Sequence, residues 1–189
     1  DVDTPVEPGE PGVGPGEAVA DGGATDLAPA DLVERTTERA RARVEALLEN
    51  DDGRNHSEIR ASIQETMTDH VNVFREDGRL KQALEDIRAA RDAYENVGVA
   101  DQSRTFNTDL IHTIETRNVI DLAEAITLGA LAREEFRGAH WRQGFQTRDD
   151  ENWLKHTMLS WNGGQPEIWY RPVLLEGEDE RYEPKIRSY

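Results

Sequence analysis

Stretches in which apolar residues recur at helical spacing alternate along this chain with stretches that have no period, and the alternation sets its elements. From Asp31, suited to an N-cap, Val33, Thr37, Ala40, Val44, Leu47 and Leu48 share one face until "NDDG" ends the pattern, which predicts a helix over about 31–49. Ser57 and Glu58 open a second period of Ile59, Ile63, Met67, Val71 and Phe74 that stops near Gly78. A third runs through Leu80, Leu84, Ile87, Arg91 and Tyr94 to Val97 and is closed by Gly98. "SRTFNTDLIHTIETRNVIDLAEAITLGALAREE" contains no proline and predicts one long helix, ~40 Å at 1.5 Å per residue. Its expected inward face is Phe106, Leu110, Ile114, Asn118, Leu122, Ala125 or Ile126, and Gly129.

Short loops between successive helices predict an antiparallel bundle of three to four helices over 31–135, with Ala123, Ala125, Gly129, Ala130 and Ala132 allowing a close neighbour. After Arg137 the helical period is lost. "WLKHTMLSW", "NGGQP" and "EIWYRPVLL" read as strand, tight turn and strand, followed by an irregular polar tail. The expected fold class is therefore mostly α: a helical bundle, then a small β-hairpin and tail over 136–189 packing on it. Residues 1–30 carry Pro5, Pro8, Pro11, Pro15 and Pro29 among glycines and acids, too little apolar surface to offset chain entropy, and read as a disordered linker. A chain that opens with Asp1 inside such a stretch reads as a fragment or a processed product.

Charge narrows the functions. The formal net charge is -17, from 39 acidic and 22 basic residues, which opposes free association with a phosphate backbone and makes nucleic acid a poor partner. Only Lys81, Lys155 and Lys185 among the cations are lysines. An acid-rich, lysine-poor surface is expected of a halophilic protein, in which salt screens the self-repulsion; the alternative is a merely acidic surface. Cysteine is absent, which removes disulfides and thiolate chemistry. No apolar run approaches the ~20 residues of a membrane span.

Against this background "RGAHWRQGFQTRDDENWLKHTM", residues 137–158, gathers histidines, tryptophans and cations. His140 and His156, with Asp149, Asp150 and Glu151 between them, match no established short-range metal pattern. Adjacent acids such as Glu134 and Glu135, or Asp149 and Asp150, arise readily by chance in so acidic a chain and carry little weight as a general acid and base. "GVGPG" and "NGGQP" lack the strand, helix and Lys-Ser/Thr context of a phosphate loop. No catalytic, cofactor-binding or metal-ligating residue is assigned. Arginine and tryptophan are enriched in binding hot spots, so the stretch reads either as an interaction surface or as packing at the bundle end with solvated arginines.

In order along the chain, Ile63-Gln64-Glu65-Thr66-Met67, "RNVIDLAEAITLGALARE", "RGAHWR", "RDDENWLKHT", "YRPV" and the terminal "IRSY" resemble the C-terminal region of the flavoprotein subunit of succinate dehydrogenase and fumarate reductase, over about 57–189. Phe136 departs from the small residue usual before Arg-Gly-Ala-His. L-aspartate oxidase is the nearest competitor, and "WLKHT" and "IRSY" favour the succinate dehydrogenase branch. An independent acidic helical module that binds a protein partner is the reading from a different class.

The resemblance implies that a flavin domain and a capping domain, with covalently attached FAD and the dicarboxylate-binding arginine and histidine, lie outside this chain. It implies electron transfer from succinate to FAD, through an iron–sulfur subunit, to a membrane quinone, with this fragment inactive alone. Arg137, His140, Trp141, Arg142, Trp153, Lys155 and His156 would then lock the helical part against the flavin-binding part and the iron–sulfur subunit. The implied location is cytoplasmic, peripheral on the inner face of the cell membrane, with membrane contact only through other subunits.

Overall fold

A computed structural model describes residues 30–162 and 164–174. The linker expected over 1–30 and the tail after 174 lie almost wholly outside the described residues, with Ala30 the exception. The element order is α1 (Ala30–Glu49), β1 (Arg54–Asn55), α2 (His56–His70), β2 (Phe74–Arg75), α3 (Asp77–Tyr94), β3 (Val97–Gly98), α4 (Thr108–Ala132), β4 (Trp141–Arg142), α5 (Asp150–Trp153), β5 (Lys155–Asn162) and β6 (Gln165–Pro172). The chain is mostly helical with a terminal hairpin, as its periodicity predicts.

The bundle is α2, α3 and α4. Asn55 starts α2 by accepting Ser57 N–H at 2.8 Å, and Asn107 starts α4 by accepting Leu110 N–H at 2.8 Å. Ile59, Ile63, Ile87, Ala90, Tyr94, Ile120 and Ala123 form the main core. Full burial of each isoleucine contributes roughly 1.5–3 kcal/mol. Tyr94 at the end of α3 donates its hydroxyl to Thr113 O near the start of α4, so these helices run antiparallel. Thr127 and Met67, both late in their helices, meet at 3.8 Å, so α2 and α4 run parallel. Two parallel strand pairs tie the helix ends, β1 with β3 and β2 with β4. At the first, Gly53 and Gly98 approach so closely that a Cβ on Gly98 would lie 2.5 Å from Gly53 N and 2.8 Å from Asn50 O.

Four expectations are corrected. The second helix ends at His70 rather than near Gly78: Val71 closes it by donating to Met67 O, and Asn72 accepts the next N–H with its own side chain. Gly78 lies inside the first turn of α3. α1 is a helix over the expected residues but not a bundle member, since Leu32, Val33, Thr37 and Ala40 are exposed and only its last turns touch the body.

The fourth correction concerns α4, which begins at Thr108 and turns part of the expected face outward, Leu110, Ile114, Ala125 and Gly129 being partly buried. Leu122 is 62% and Ile126 51% exposed, whereas Thr113, Thr116, Ile120, Ala123, Glu124, Thr127 and Ala130 are buried. Three of the inward threonines donate to the carbonyl four residues earlier at 2.8 Å, which lets a polar stripe enter the core without unpaired hydroxyls. Inward Glu124 accepts Arg91 Nη2 at 2.6 Å from α3.

A basic groove beside a buried carboxylate

The chain leaves α4 at Arg133 and crosses to the hairpin through a segment held by charge more than by apolar packing. Glu135 has no exposed surface. It accepts Arg133 Nε at 2.8 Å, Arg137 Nε at 2.7 Å and Asp149 N–H at 3.1 Å. Burial alone would raise its pKa, but these donors, Arg137 foremost, hold it below the usual carboxylate range. Asp150 completes the knot by accepting Arg137 Nη2 at 2.6 Å and Arg148 Nε at 2.7 Å. Arg133 also reaches Trp153 O, Lys155 O and Thr157 Oγ1, fixing β5 to the end of α4. Gly129 offers no side chain where Thr157 passes.

Arg142 is 3% exposed and spans two elements, donating Nε to Asp77 at 2.8 Å and Nη1 to Leu131 O at 2.6 Å. Its guanidinium lowers the pKa of Asp77. Pairing of β2 with β4 brings Arg75 to His140, whose Nδ1 accepts Arg75 Nη1 at 2.6 Å while its Nε2 donates to Arg133 O at 2.9 Å. A guanidinium has no acceptor, so Nδ1 carries no proton and His140 is a neutral Nε2–H imidazole. Burial and the surrounding arginines lower its pKa in agreement with that tautomer.

The site residues expected from sequence thus divide. Arg137 and Arg142 direct their guanidinium groups into the chain. Trp141 stacks edge-on to exposed Phe74 with ring centroids 5.4 Å apart. Trp153 and Tyr170 flank the Lys155 ammonium at 4.8 and 4.1 Å. Arg137, His140, Trp153, Lys155 and His156 meet along one open groove of about 590 Å³ that Trp141 and Arg142 do not line. Its apolar side is Ile126, Leu154, Met158 and Val173. Among the described residues no aspartate or glutamate lines it.

Sequence reasoning missed Arg75 and Arg133, which also line the groove, and discounted Glu135, which organises it. Arg75 carried no separate signal, because Val71 and Phe74 extend the helical period up to it.

Among the described residues no group of three His, Asp or Glu side chains is placed to hold a metal ion. The described glycines do not suit a dinucleotide either. Gly138, Gly144 and Gly164 take positive φ in turns, and none joins a strand to a helix N-terminus as a pyrophosphate loop requires.

The bundle buries one side of α4 and, among the described residues, leaves Leu122 and Ile126 exposed on another. Comparison gives its class: residues 60–189 match the family "Fumarate reductase flavoprotein C-term". The chain belongs to that family, the C-terminal region of succinate dehydrogenase and fumarate reductase flavoprotein subunits. It is 39% identical over 136 residues to the mitochondrial succinate dehydrogenase [ubiquinone] flavoprotein subunit of Oryza sativa, covering 70% of this chain and 22% of that one. It is 37% identical over 186 residues to the fumarate reductase flavoprotein subunit of Mycobacterium tuberculosis, covering 92% and 30%. A quinol fumarate reductase structure from E. coli superposes with a TM-score of 0.74 at 28% identity, over 82% of this chain and 27% of that one. The chain therefore spans about a quarter of the length of such relatives.

Proposed function

We propose that this chain is the C-terminal helical part of a succinate dehydrogenase-type flavoprotein, and that its work is to dock on and brace the flavin-binding part. One observation carries the reading: Leu122 and Ile126, one turn apart on α4, are exposed opposite its buried face, and Ile126 continues into the basic groove. A helix apolar on two sides is built to be covered on both. Among the described residues the hairpin passes that second side at Gly129, near Thr157.

In the whole subunit the flavin would be held outside the residues described here, where it would accept two electrons from succinate or deliver them to fumarate. An iron–sulfur subunit would link it to a membrane quinone. No described helix is long and apolar enough to cross a membrane. The location that fits this reading is the inner face of the membrane, reached through other subunits. The acid excess supports a protein adapted to high salt, and the chain on its own would neither bind flavin nor oxidise succinate.

The test is two-piece reconstitution: the flavin-binding part of the Mycobacterium tuberculosis relative, as a separate polypeptide, is mixed with this chain. A stoichiometric complex should form, with amide exchange slowed around Leu122 and Ile126. Absence of a complex, or one that leaves that stripe unprotected, would refute the docking reading. A second reading, an independent module that binds another protein through 137–158, would then stand.

A further inference from the structure

We infer that Arg75 is the anchor of the groove and takes a carboxylate from an acidic segment of the flavin-binding part. The inference rests on the docking reading and adds to it a residue and a chemistry.

Of the cations on the groove, Arg133 and Arg137 are already paired with Glu135, and Arg137 also with Asp150. Arg75 is not. Its Nε donates to Val71 O at 3.1 Å and its Nη1 to His140 Nδ1 at 2.6 Å, both uncharged acceptors, and among the described residues no carboxylate pairs with it. Two of its five N–H groups are thus used within the chain. Half-buried, it bears an uncompensated charge that burial disfavours, seen in the downward displacement of its pKa. This occurs in a chain with 39 acids against 22 bases, where exposed Arg104 binds Glu45 through both Nη atoms at 2.9 and 2.6 Å.

Lys155, on the same groove, also lacks an acid and rests between two aromatic rings. Neutral His140 orients Arg75 without cancelling its charge. A site that holds a cation ready with no carboxylate among the described residues of its lining, beside Leu154, Met158 and Val173, fits an extended acidic segment. One carboxylate would meet the Arg75 fork and an apolar neighbour would lie on the floor.

The experiment uses the same reconstitution with R75M, R75K and, as a control outside the groove, R54M. Removing a docked guanidinium should weaken the complex roughly 10- to 100-fold, R75K should weaken it less, and R54M should leave it unchanged. The salt dependence of affinity should flatten in R75M. Affinity and salt slope equal to wild type in R75M would overturn the inference while leaving the docking reading intact; failure of the wild-type pair to associate would remove that reading first. If R75M does not fold, R75K decides. Weaker binding at an unchanged melting temperature supports the anchor, and unchanged binding overturns it. Equal weakening by R54M would show general charge attraction and also overturn it.

Discussion

Replacing Glu135 by alanine tests whether the segment between α4 and the hairpin is held by its buried charge. The side chain has no exposed surface and pairs with Arg133 and Arg137, whose side chains are 15% and 27% exposed. Removing one member of a buried ion pair costs about 3–5 kcal/mol when the other is stranded. Here Arg133 keeps three acceptors on β5 and its approach, and Arg137 keeps Asp150, so the cost falls around and somewhat below the lower end of that range, about 2–4 kcal/mol. At about 2–4 °C per kcal/mol for a domain of this size, thermal melting followed by circular dichroism should fall by roughly 5–15 °C. E135Q keeps the shape and some hydrogen bonds and should cost about 1–2 kcal/mol.

The acid limb gives an independent reading of the same knot. The folded carboxyl lies below its ordinary value of 4.5. Its stabilisation is therefore complete above that value and disappears as pH falls through the folded value. E135Q should lack this loss. A melting temperature for E135A within about 2 °C of wild type, or an unchanged acid limb in E135Q, would refute the argument.

Three further outcomes follow from the geometry. Gly98→Ala should destabilise the fold by about 1–3 kcal/mol in urea titrations, because the added carbon meets backbone atoms at 2.5 and 2.8 Å; unchanged stability would show that β1 and β3 separate freely. Nitrogen NMR should find His140 as the Nε2–H tautomer, protonating at lower pH than a free histidine. Since its pKa is lowered on folding, its contribution is full above about 6.5 and is lost as pH falls through the folded value, whereas a raised value would contradict the Arg75 contact. Melting temperature should climb as NaCl goes from about 0.05 to about 3 M, because screening relieves the repulsion behind the net charge of -17; a flat or falling series would count against adaptation to high salt.

Where one face of a helix holds the only apolar stripe, sequence and structure agree: Leu80, Leu84, Ile87 and Tyr94 on α3 are all buried. α4 misleads because its stronger apolar stripe points outward, while the inward one is built of threonines and alanines whose polarity is satisfied inside the helix. Hydrophobic period cannot rank two such faces, since it does not register hydroxyls that are satisfied within the helix. Gly78 misread as a stop shows the same limit, because a glycine in the first turn costs a helix little. The groove was legible as a cluster of cations within 137–158. Which of them were already neutralised depended on backbone turns that bring Glu135 to Arg133 and Arg137, and on a strand pair that brings Arg75 to His140 across 65 positions. Composition carries no trace of either.

The slender attachment of α1 has a mechanical consequence. Its last turns pack through Leu47 and Leu48, and Arg104 ties Glu45 to the loop before α4. Beyond that point the helix is a lever. The fifteen steps from Glu45 to Ala30 at about 1.5 Å each make an arm of about 22 Å, so a tilt of about 10° at its base would swing Ala30 by about 4 Å. The Arg104–Glu45 tie is exposed and thus sensitive to ionic strength. Salt would act on it as a clutch, setting how firmly whatever is joined at Ala30 is aimed by the bundle.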